Sequence, residues 1–320
     1  MKARIAGVGA YLPKRVLTNA ELSTFVETSD EWIQERVGIR ERRIAEGHET
    51  NAFMASEAGK AALLHAGLSA EDLDLIIVTT STPDHMMPGV ACSVQANLGA
   101  ACPAFDLNAA CGGFIYGLHT AKQFFDAGSV RHVLLVGSEL MSRILDWTDR
   151  STCVLFGDGA GAVVLSASET PGILASRIFA DGMHRDLLYV SPHLRADAFA
   201  TDCPVPQLKM EGNKVFRVAV EKMGELVDLI LKEANCTQDQ IDFLVPHQAN
   251  ERIITATAKK LNLSMDKVIL TLGLHGNTMS ATIPLALADA VHTGKIKRGD
   301  LLLFEAFGAG FVWGASLVRY

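Results

Sequence analysis

The sequence predicts an α/β fold assembled from two related halves, and two observations carry that prediction. Short runs rich in leucine and β-branched residues alternate along the chain with segments whose apolar residues recur at helical spacing. In addition the chain repeats itself: Ala66 to Ile77 matches Ala234 to Val245 at a shift of 168 residues, which aligns Asp74 with Asp242. The same shift carries Val133-Leu-Leu-Val136 onto Leu301-Leu-Leu-Phe304. A glycine turn follows each run, Phe156-Gly-Asp-Gly-Ala-Gly in one half and Phe307-Gly-Ala-Gly in the other. The halves meet near residue 170, and 320 residues at 49% hydrophobic suffice to bury about three quarters of the unfolded surface.

The elements follow in chain order. The N-terminus lacks the apolar run of roughly 7 to 15 residues that marks a secretory leader, which predicts a chain that stays in the cytoplasm. Leu75–Thr79, Val133–Val136, Ala162–Leu165 and Ile241–Val245 read as strands. Phe114, Leu118, Ala121 and Phe125 predict a helix that starts near Gly113 and stops by Gly128. Ile253, Ile254, Ala258 and Leu261 predict another, with Asn250 as its N-cap. Leu301 to Val318 is apolar enough to raise the question of a membrane span. It carries Glu305, Gly308, Gly310 and Gly314, and the glycines split it into buried strands Leu301–Phe304 and Phe311–Val318 joined by a turn.

Charge and cysteines narrow the function. A net charge of -7 argues against nucleic acid as the main partner, because phosphate binding needs a clustered basic excess. The six cysteines, at 92, 102, 111, 153, 203 and 236, form no C-x-x-C pair and no zinc-ligand spacing, so reduced thiols and no metal are expected. Five of them read as small core residues.

Cys111 stands apart. It lies in Phe105-Asp-Leu-Asn-Ala-Ala-Cys-Gly-Gly-Phe-Ile, after an apolar run and just before a helix. The unpaired amides and positive end of that helix favour thiolate, and Gly112 and Gly113 admit close approach of an acyl group. A small core residue is the other reading of this position. His247, in Val-Pro-His-Gln-Ala-Asn, follows a second-half strand at the carboxyl end where α/β sheets hold ligands. One histidine among ten is otherwise a surface or core residue. Asn277, in His-Gly-Asn-Thr, reads from spacing alone as a turn.

Taken together, Ala-Ala-Cys111-Gly-Gly-Phe, Val-Pro-His247-Gln-Ala-Asn, His-Gly-Asn277-Thr, the late Gly-Ala-Gly-Phe-Val-Trp-Gly and the early Thr-Ser-Asp-Glu-Trp-Ile resemble the β-ketoacyl-acyl carrier protein synthase III family. The resemblance implies a thiolase-like five-layer αβαβα fold whose two pseudo-duplicated halves are residues 1–169, carrying the nucleophilic cysteine, and 170–320, carrying the histidine and asparagine. It implies a cytoplasmic homodimer that initiates bacterial type II fatty acid synthesis. Acetyl-CoA or a short acyl-CoA, a substrate rather than a cofactor, loads Cys111. Decarboxylative condensation with malonyl-acyl carrier protein then releases CO2 and gives 3-oxoacyl-acyl carrier protein.

By the same resemblance Cys111 and Gly308 supply backbone oxyanion donors, and His247 and Asn277 stabilise the enolate, so that alanine at either keeps Cys111 acetylation and loses decarboxylation. Thr28, Trp32, Arg36 and Arg150 hold the CoA nucleotide, while Gly212, Phe216 and Asn250 line the pantetheine path. Arg217, Gln248, Arg252, Lys259 and Lys260 meet the acidic carrier protein. Departures from the family pattern fall at Gly112, where alanine is usual, at Ala309 within the late glycine run, and at Met279, where serine is usual. Met87 stands where some relatives place a phenylalanine that crosses the dimer interface to close the acyl pocket, and its flexibility points to primers longer or more branched than acetyl.

Three other readings fit parts of the sequence. An acyltransferase with a different acceptor keeps Cys111 but has no use for Asn277 and the basic helix. A nicotinamide dehydrogenase is prompted by Gly7-Val-Gly9, yet Leu12 stands where its third glycine belongs. A non-catalytic carrier-binding protein has no use for a Cys/His/Asn set.

Overall fold

The computed structural model describes residues 1–191 and 205–320, so Cys203 lies outside the described residues. Its strands form two large sheets. The first orders Lys2–Tyr11, Asp158–Ser168, His132–Leu140, Leu75–Thr79 and Ala104–Leu107 from edge to edge; the second orders Phe243–Pro246, Leu301–Gly308, Val312–Arg319 and Ile173–Ala180. In each, the pair nearest the repeated segment is parallel: Leu75 sits opposite Val133, and Phe243 opposite Leu302.

Alternating side chains of these strands enter different layers, which is why the runs are apolar without a gap. In the first sheet Ile76, Val78, Leu134 and Val136 pack outward with Met54, Ala58 and Ala62 of the helix Asn51–Ala66. Leu75, Ile77, Val133 and Leu135 pack inward against Phe114 and Leu118 of Gly113–Asp126 and Ile283 and Leu287 of Thr282–His292. Those two helices also meet Leu302, Phe304 and Ala306 of the second sheet. Leu301, Leu303, Ala315 and Leu317 on its other face bury against Leu226, Ile230 and Ile254 of the helices Gly212–Ala234 and Glu251–Lys260. The order helix, sheet, helix, sheet, helix gives five layers.

The repeat has local causes. Ser69 and Thr237 each open a short 3₁₀ turn closed by a capping box, in which the Asp72 carboxylate accepts the Ser69 N–H at 2.8 Å and Gln240 accepts the Thr237 N–H at 2.9 Å. Gly67 (φ +68°) and Asn235 (φ +53°) end the preceding helices in the left-handed region. The constant shift needs one correction. The Asp74 carboxylate accepts the His132 N–H at 2.9 Å, and that of Asp242 accepts the Leu301 N–H at 2.8 Å, so the second strand of each pair lies 169 residues apart, not 168.

Gly7 and Gly9 lie inside the edge strand, not in a strand-to-helix turn. A Cβ at either would strike the backbone of Asn51–Ala66, so these glycines serve packing. The apolar segment near the C-terminus forms two antiparallel strands as expected, but the first runs on to Gly308 and holds Glu305 inside it, opposite Ala315. Among the described residues no helix is long and apolar enough to cross a membrane.

Candidate active site

Cys111 follows Ala110, which takes φ +44°, in the turn Ala110–Gly112 that leads into the helix Gly113–Asp126. The turn is wedged between layers. A Cβ on Gly113 would lie 3.0 Å from the Ser280 Cβ and 3.1 Å from that of Thr79, and one on Gly308 would lie 2.7 Å from the Cys111 nitrogen. Only glycine at 308 lets the second sheet's strand end approach the nucleophile so closely. The expectation of a depressed thiol pKa is overturned: burial, seconded by the Glu139 carboxylate, pushes Cys111 up to about 12. Cys111 is 7% exposed, and desolvation outweighs the backbone hydrogen bond that would lower its pKa.

His247 sits just beyond Phe243–Pro246, its backbone N–H donating to the Glu305 carbonyl at 2.8 Å. Burial lowers it to about 3, so the imidazole is neutral. Its Nδ1 lies 2.7 Å from the Thr282 hydroxyl. Asn277 is held by the first half: its N–H donates to the Leu155 carbonyl at 2.8 Å, and its carbonyl accepts the Gly157 N–H at 3.2 Å. The glycine turn after Phe156 is thus the bracket for a second-half residue. The Met279 N–H donates to the Asn277 Oδ1 at 2.8 Å, which leaves the side-chain NH2 as the donor Asn277 offers.

Cys111, His247, Asn277, Gly308 and Glu305 line one cavity of about 330 Å³, along with Trp32, Arg36, Gly212, Phe216, Asn250 and Arg252. Trp32 carries two guanidinium groups, Arg150 at 5.2 Å and Arg36 at 5.8 Å from its ring. Thr28 and Arg150 do not line the cavity. The Arg150 guanidinium donates to the Glu27 carbonyl at 3.0 Å, and the buried Thr28 hydroxyl has no partner among the described residues. Asn250 caps Glu251–Lys260 as expected, accepting the Arg252 N–H at 2.9 Å, and donates to the Arg36 carbonyl at 3.2 Å.

A second cavity of about 880 Å³ reaches Cys111 from another side, lined by Leu140, Ile144, Phe156, Leu208, Met279 and Val312, with Pro83, Asp84 and His85 among its other walls. Met87 lies outside both linings and is 83% exposed. Arg217, Arg252, Lys259 and Lys260 are all exposed, but of these only Arg252 lines the cavity, and Lys260 turns back to the Gly224 carbonyl and stands 3.7 Å from Asp228. Gln248 is a correction. It is 1% exposed, donates to the carbonyls of Pro246 and Ile269, and accepts the N–H groups of Thr271 and Leu272, so it has no polar group left for a partner.

The sequence reading missed three groups. Thr282 meets His247. Glu305, 2% exposed, has one oxygen without a partner among the described residues, and burial raises it to about 8. Glu139, raised to about 7 by burial, accepts from the Thr82 and Ser280 hydroxyls at 2.6 and 2.7 Å and ties the Asn277 loop to the first sheet. Only the carboxylates carried a signal, as acidic residues inside apolar runs.

Comparisons with known proteins agree with this geometry. Residues 105–182 match the model of the family described as 3-oxoacyl-[acyl-carrier-protein (ACP)] synthase III, and residues 231–320 match that of its C-terminal part. The β-ketoacyl-[acyl-carrier-protein] synthase III of Thiobacillus denitrificans is 51% identical over 320 residues, covering 99% of each chain. Among solved structures, 3-oxoacyl-[acyl-carrier-protein] synthase III from Aquifex aeolicus is 48% identical with a TM-score of 0.93, covering 99% of this chain and 100% of that one. The priming β-ketosynthase of the R1128 polyketide pathway is 37% identical with a TM-score of 0.94, covering 99% and 96%. The five layers are those of the thiolase-like condensing enzymes, and with half its sequence in common with such relatives along its whole length, the chain belongs to the β-ketoacyl-[acyl-carrier-protein] synthase III family.

Proposed function

We propose that this protein initiates bacterial type II fatty acid synthesis, loading a short acyl group from acyl-CoA onto Cys111 and condensing it with malonyl-acyl carrier protein. One observation carries the reading: a single cavity lined by Cys111, His247 and Asn277 and also by an arginine-flanked tryptophan. Trp32, Arg36, Arg150 and Thr28 suit an adenine nucleotide and its phosphates, and Gly212, Phe216 and Asn250 suit the slender pantetheine arm. The exposed Arg217, Arg252 and Lys259 offer an acidic carrier a basic rim.

In the loading half-reaction the Cys111 sulfur bonds to the acyl carbon, the C–S bond to CoA breaks, and the thiol proton leaves with CoA. With its pKa near 12 the thiol is not ionised in advance, so backbone donors at Cys111 and Gly308 must stabilise the oxyanion as it forms. In the condensing half-reaction the malonyl carboxylate leaves as CO2 and its electron pair passes to the thioester oxygen. Donors from neutral His247 and from the Asn277 NH2 hold that enolate. Its carbon then attacks the acyl carbonyl, the C–S bond to Cys111 breaks, and the released sulfur takes a proton from solvent to restore the thiol.

The larger cavity beyond Cys111 exceeds what an acetyl group fills, which supports longer or branched primers alongside acetyl. The exposed Met86 and Met87 beside it support a homodimer whose second copy covers this mouth. Residues 1–169 and 170–320 act as its two halves, since each large sheet draws all its strands from one of them. The enzyme works in the cytoplasm, where acyl-CoA and carrier protein meet.

The test is incubation with radiolabelled acetyl-CoA and no malonyl substrate, followed by peptide mass spectrometry. A thioester on Cys111 is expected. Label from a longer acyl-CoA alone replaces the primer, and no label from any acyl-CoA overturns the reading.

A further inference from the structure

His247 can do opposite things with the same atoms. Neutral imidazole carries one hydrogen, and whichever nitrogen bears it donates while the other accepts. Only the Nε2–H form presents a donor on the side away from Nδ1; the Nδ1–H form presents a lone pair there and acts as a base. The partner of Nδ1 decides between them, and that partner is Thr282 Oγ1 at 2.7 Å.

Thr282 opens the helix Thr282–His292, and its hydroxyl has two neighbours, Nδ1 of His247 and the Met279 carbonyl at 3.0 Å. That carbonyl already accepts the backbone N–H of Thr282 itself. It therefore has a partner without the hydroxyl, whereas the buried Nδ1 has no other hydrogen-bond partner among the described residues. The shorter contact also belongs to the ring nitrogen. Burial disfavours imidazolium and keeps the ring in a neutral form, where the choice of tautomer matters.

Resting on the reading of the site given above, we propose that Thr282 is a positioning residue whose hydroxyl donates to Nδ1 and holds His247 as its Nε2–H tautomer, a donor for the condensing half-reaction and not a base for the loading one. No proton passes through His247 or Thr282 in this assignment. The Thr282 hydrogen stays on its oxygen, the Nε2 hydrogen stays on the ring as it meets the enolate oxygen, and the Cys111 proton leaves with CoA.

Two variants test this, Thr282→Val, which keeps the shape and deletes the hydroxyl, and Thr282→Ser, which restores it. Each is measured for acylation of Cys111 by intact-mass spectrometry, for release of labelled CO2 from malonyl-carrier protein, and for folding by thermal melting. The expected result is a split: Thr282→Val acylates within about two-fold of the parent but decarboxylates about 100-fold more slowly, the loss typical of one misplaced oxyanion donor, while Thr282→Ser stays within a few-fold in both. Nitrogen-15 spectra of histidine-labelled parent protein should show Nε2 protonated and Nδ1 bare. The proposal is overturned if Thr282→Val decarboxylates normally, if a folded Thr282→Val loses both half-reactions equally, or if the spectra show Nδ1 protonated. Failure of the parent protein to acylate at all is a different result, which overturns the reading of Cys111 instead.

Discussion

Glu305 makes the stability of this protein depend on pH in a direction that can be worked out beforehand. Its carboxyl is buried, has an oxygen without a partner among the described residues, and is raised from the ordinary 4.5 to about 8. Between those values the folded chain keeps the proton while the unfolded chain has released it. Unfolding then releases a proton, so stability falls as pH rises, by about 1.4 kcal/mol per pH unit from this group alone. The contribution is fully present below about pH 4.5 and is gone above about pH 8. From pH 5 to pH 7 the loss comes to about 3 kcal/mol. Glu139 and Asp158 are also buried and raised and slope the same way, so the parent must be compared with Glu305→Gln, in which those terms cancel. Urea unfolding followed by the fluorescence of the three tryptophans measures both proteins at pH 5, 6 and 7. The parent should lose about 3 kcal/mol relative to the variant across that range. Parallel lines would refute the reasoning, since they mean that Glu305 is already ionised in the folded protein at pH 5.

Other outcomes follow from the same geometry. Gly308→Ala places a methyl 2.7 Å from the Cys111 nitrogen and 2.9 Å from its Cβ, so the folded variant should acylate at least about 100-fold more slowly in a single-turnover mass assay. Asn277→Ala should acylate Cys111 at the parent rate and lose about 100- to 1,000-fold in CO2 release from malonyl-carrier protein. Raising salt from 50 to 300 mM should raise KM for malonyl-carrier protein several-fold more than KM for malonyl-CoA, and Lys259→Glu should mimic the salt effect at low ionic strength. Gln248→Ala should leave both KM values unchanged and lower the melting temperature, because its amide joins Pro246 and Ile269 to the turn at Thr271 and Leu272.

What could be read from the sequence was whatever depends on order along the chain. The apolar runs, the glycine turns and the repeat around Asp74 and Asp242 are local patterns, and each sheet is a consequence of them. The residues flanking Cys111, His247 and Asn277 are distinctive enough to mark a family. Desolvation is not a local pattern: Cys111 precedes a helix, which predicts an acidic thiol, but five layers close around it and reverse the sign. Gln248 adjoins His247 and looks available, yet the strand end turns it inward. Thr282 could not be singled out, since its contact with His247 joins residues 35 apart and a threonine at a helix start is ordinary. Glu305 fell in the expected turn because the glycines after it read as a break, whereas the strand runs on to Gly308 and a protonated carboxyl fits inside it.

The two cavities that converge on Cys111 also constrain kinetics. In the reaction proposed here, one pantetheine arm at a time enters the cavity that holds Cys111, His247 and Asn277, and the carrier protein delivers malonate on an arm of the same shape. The traffic is therefore single-track: one thioester must back out before the next enters, while the acyl group waits in a siding on the far side of the sulfur. Initial velocities should give parallel reciprocal plots, and each substrate in excess should slow its own reaction by occupying the track when the other is due. Flux through such an enzyme responds to the ratio of acyl-CoA to malonyl-carrier protein as well as to their amounts.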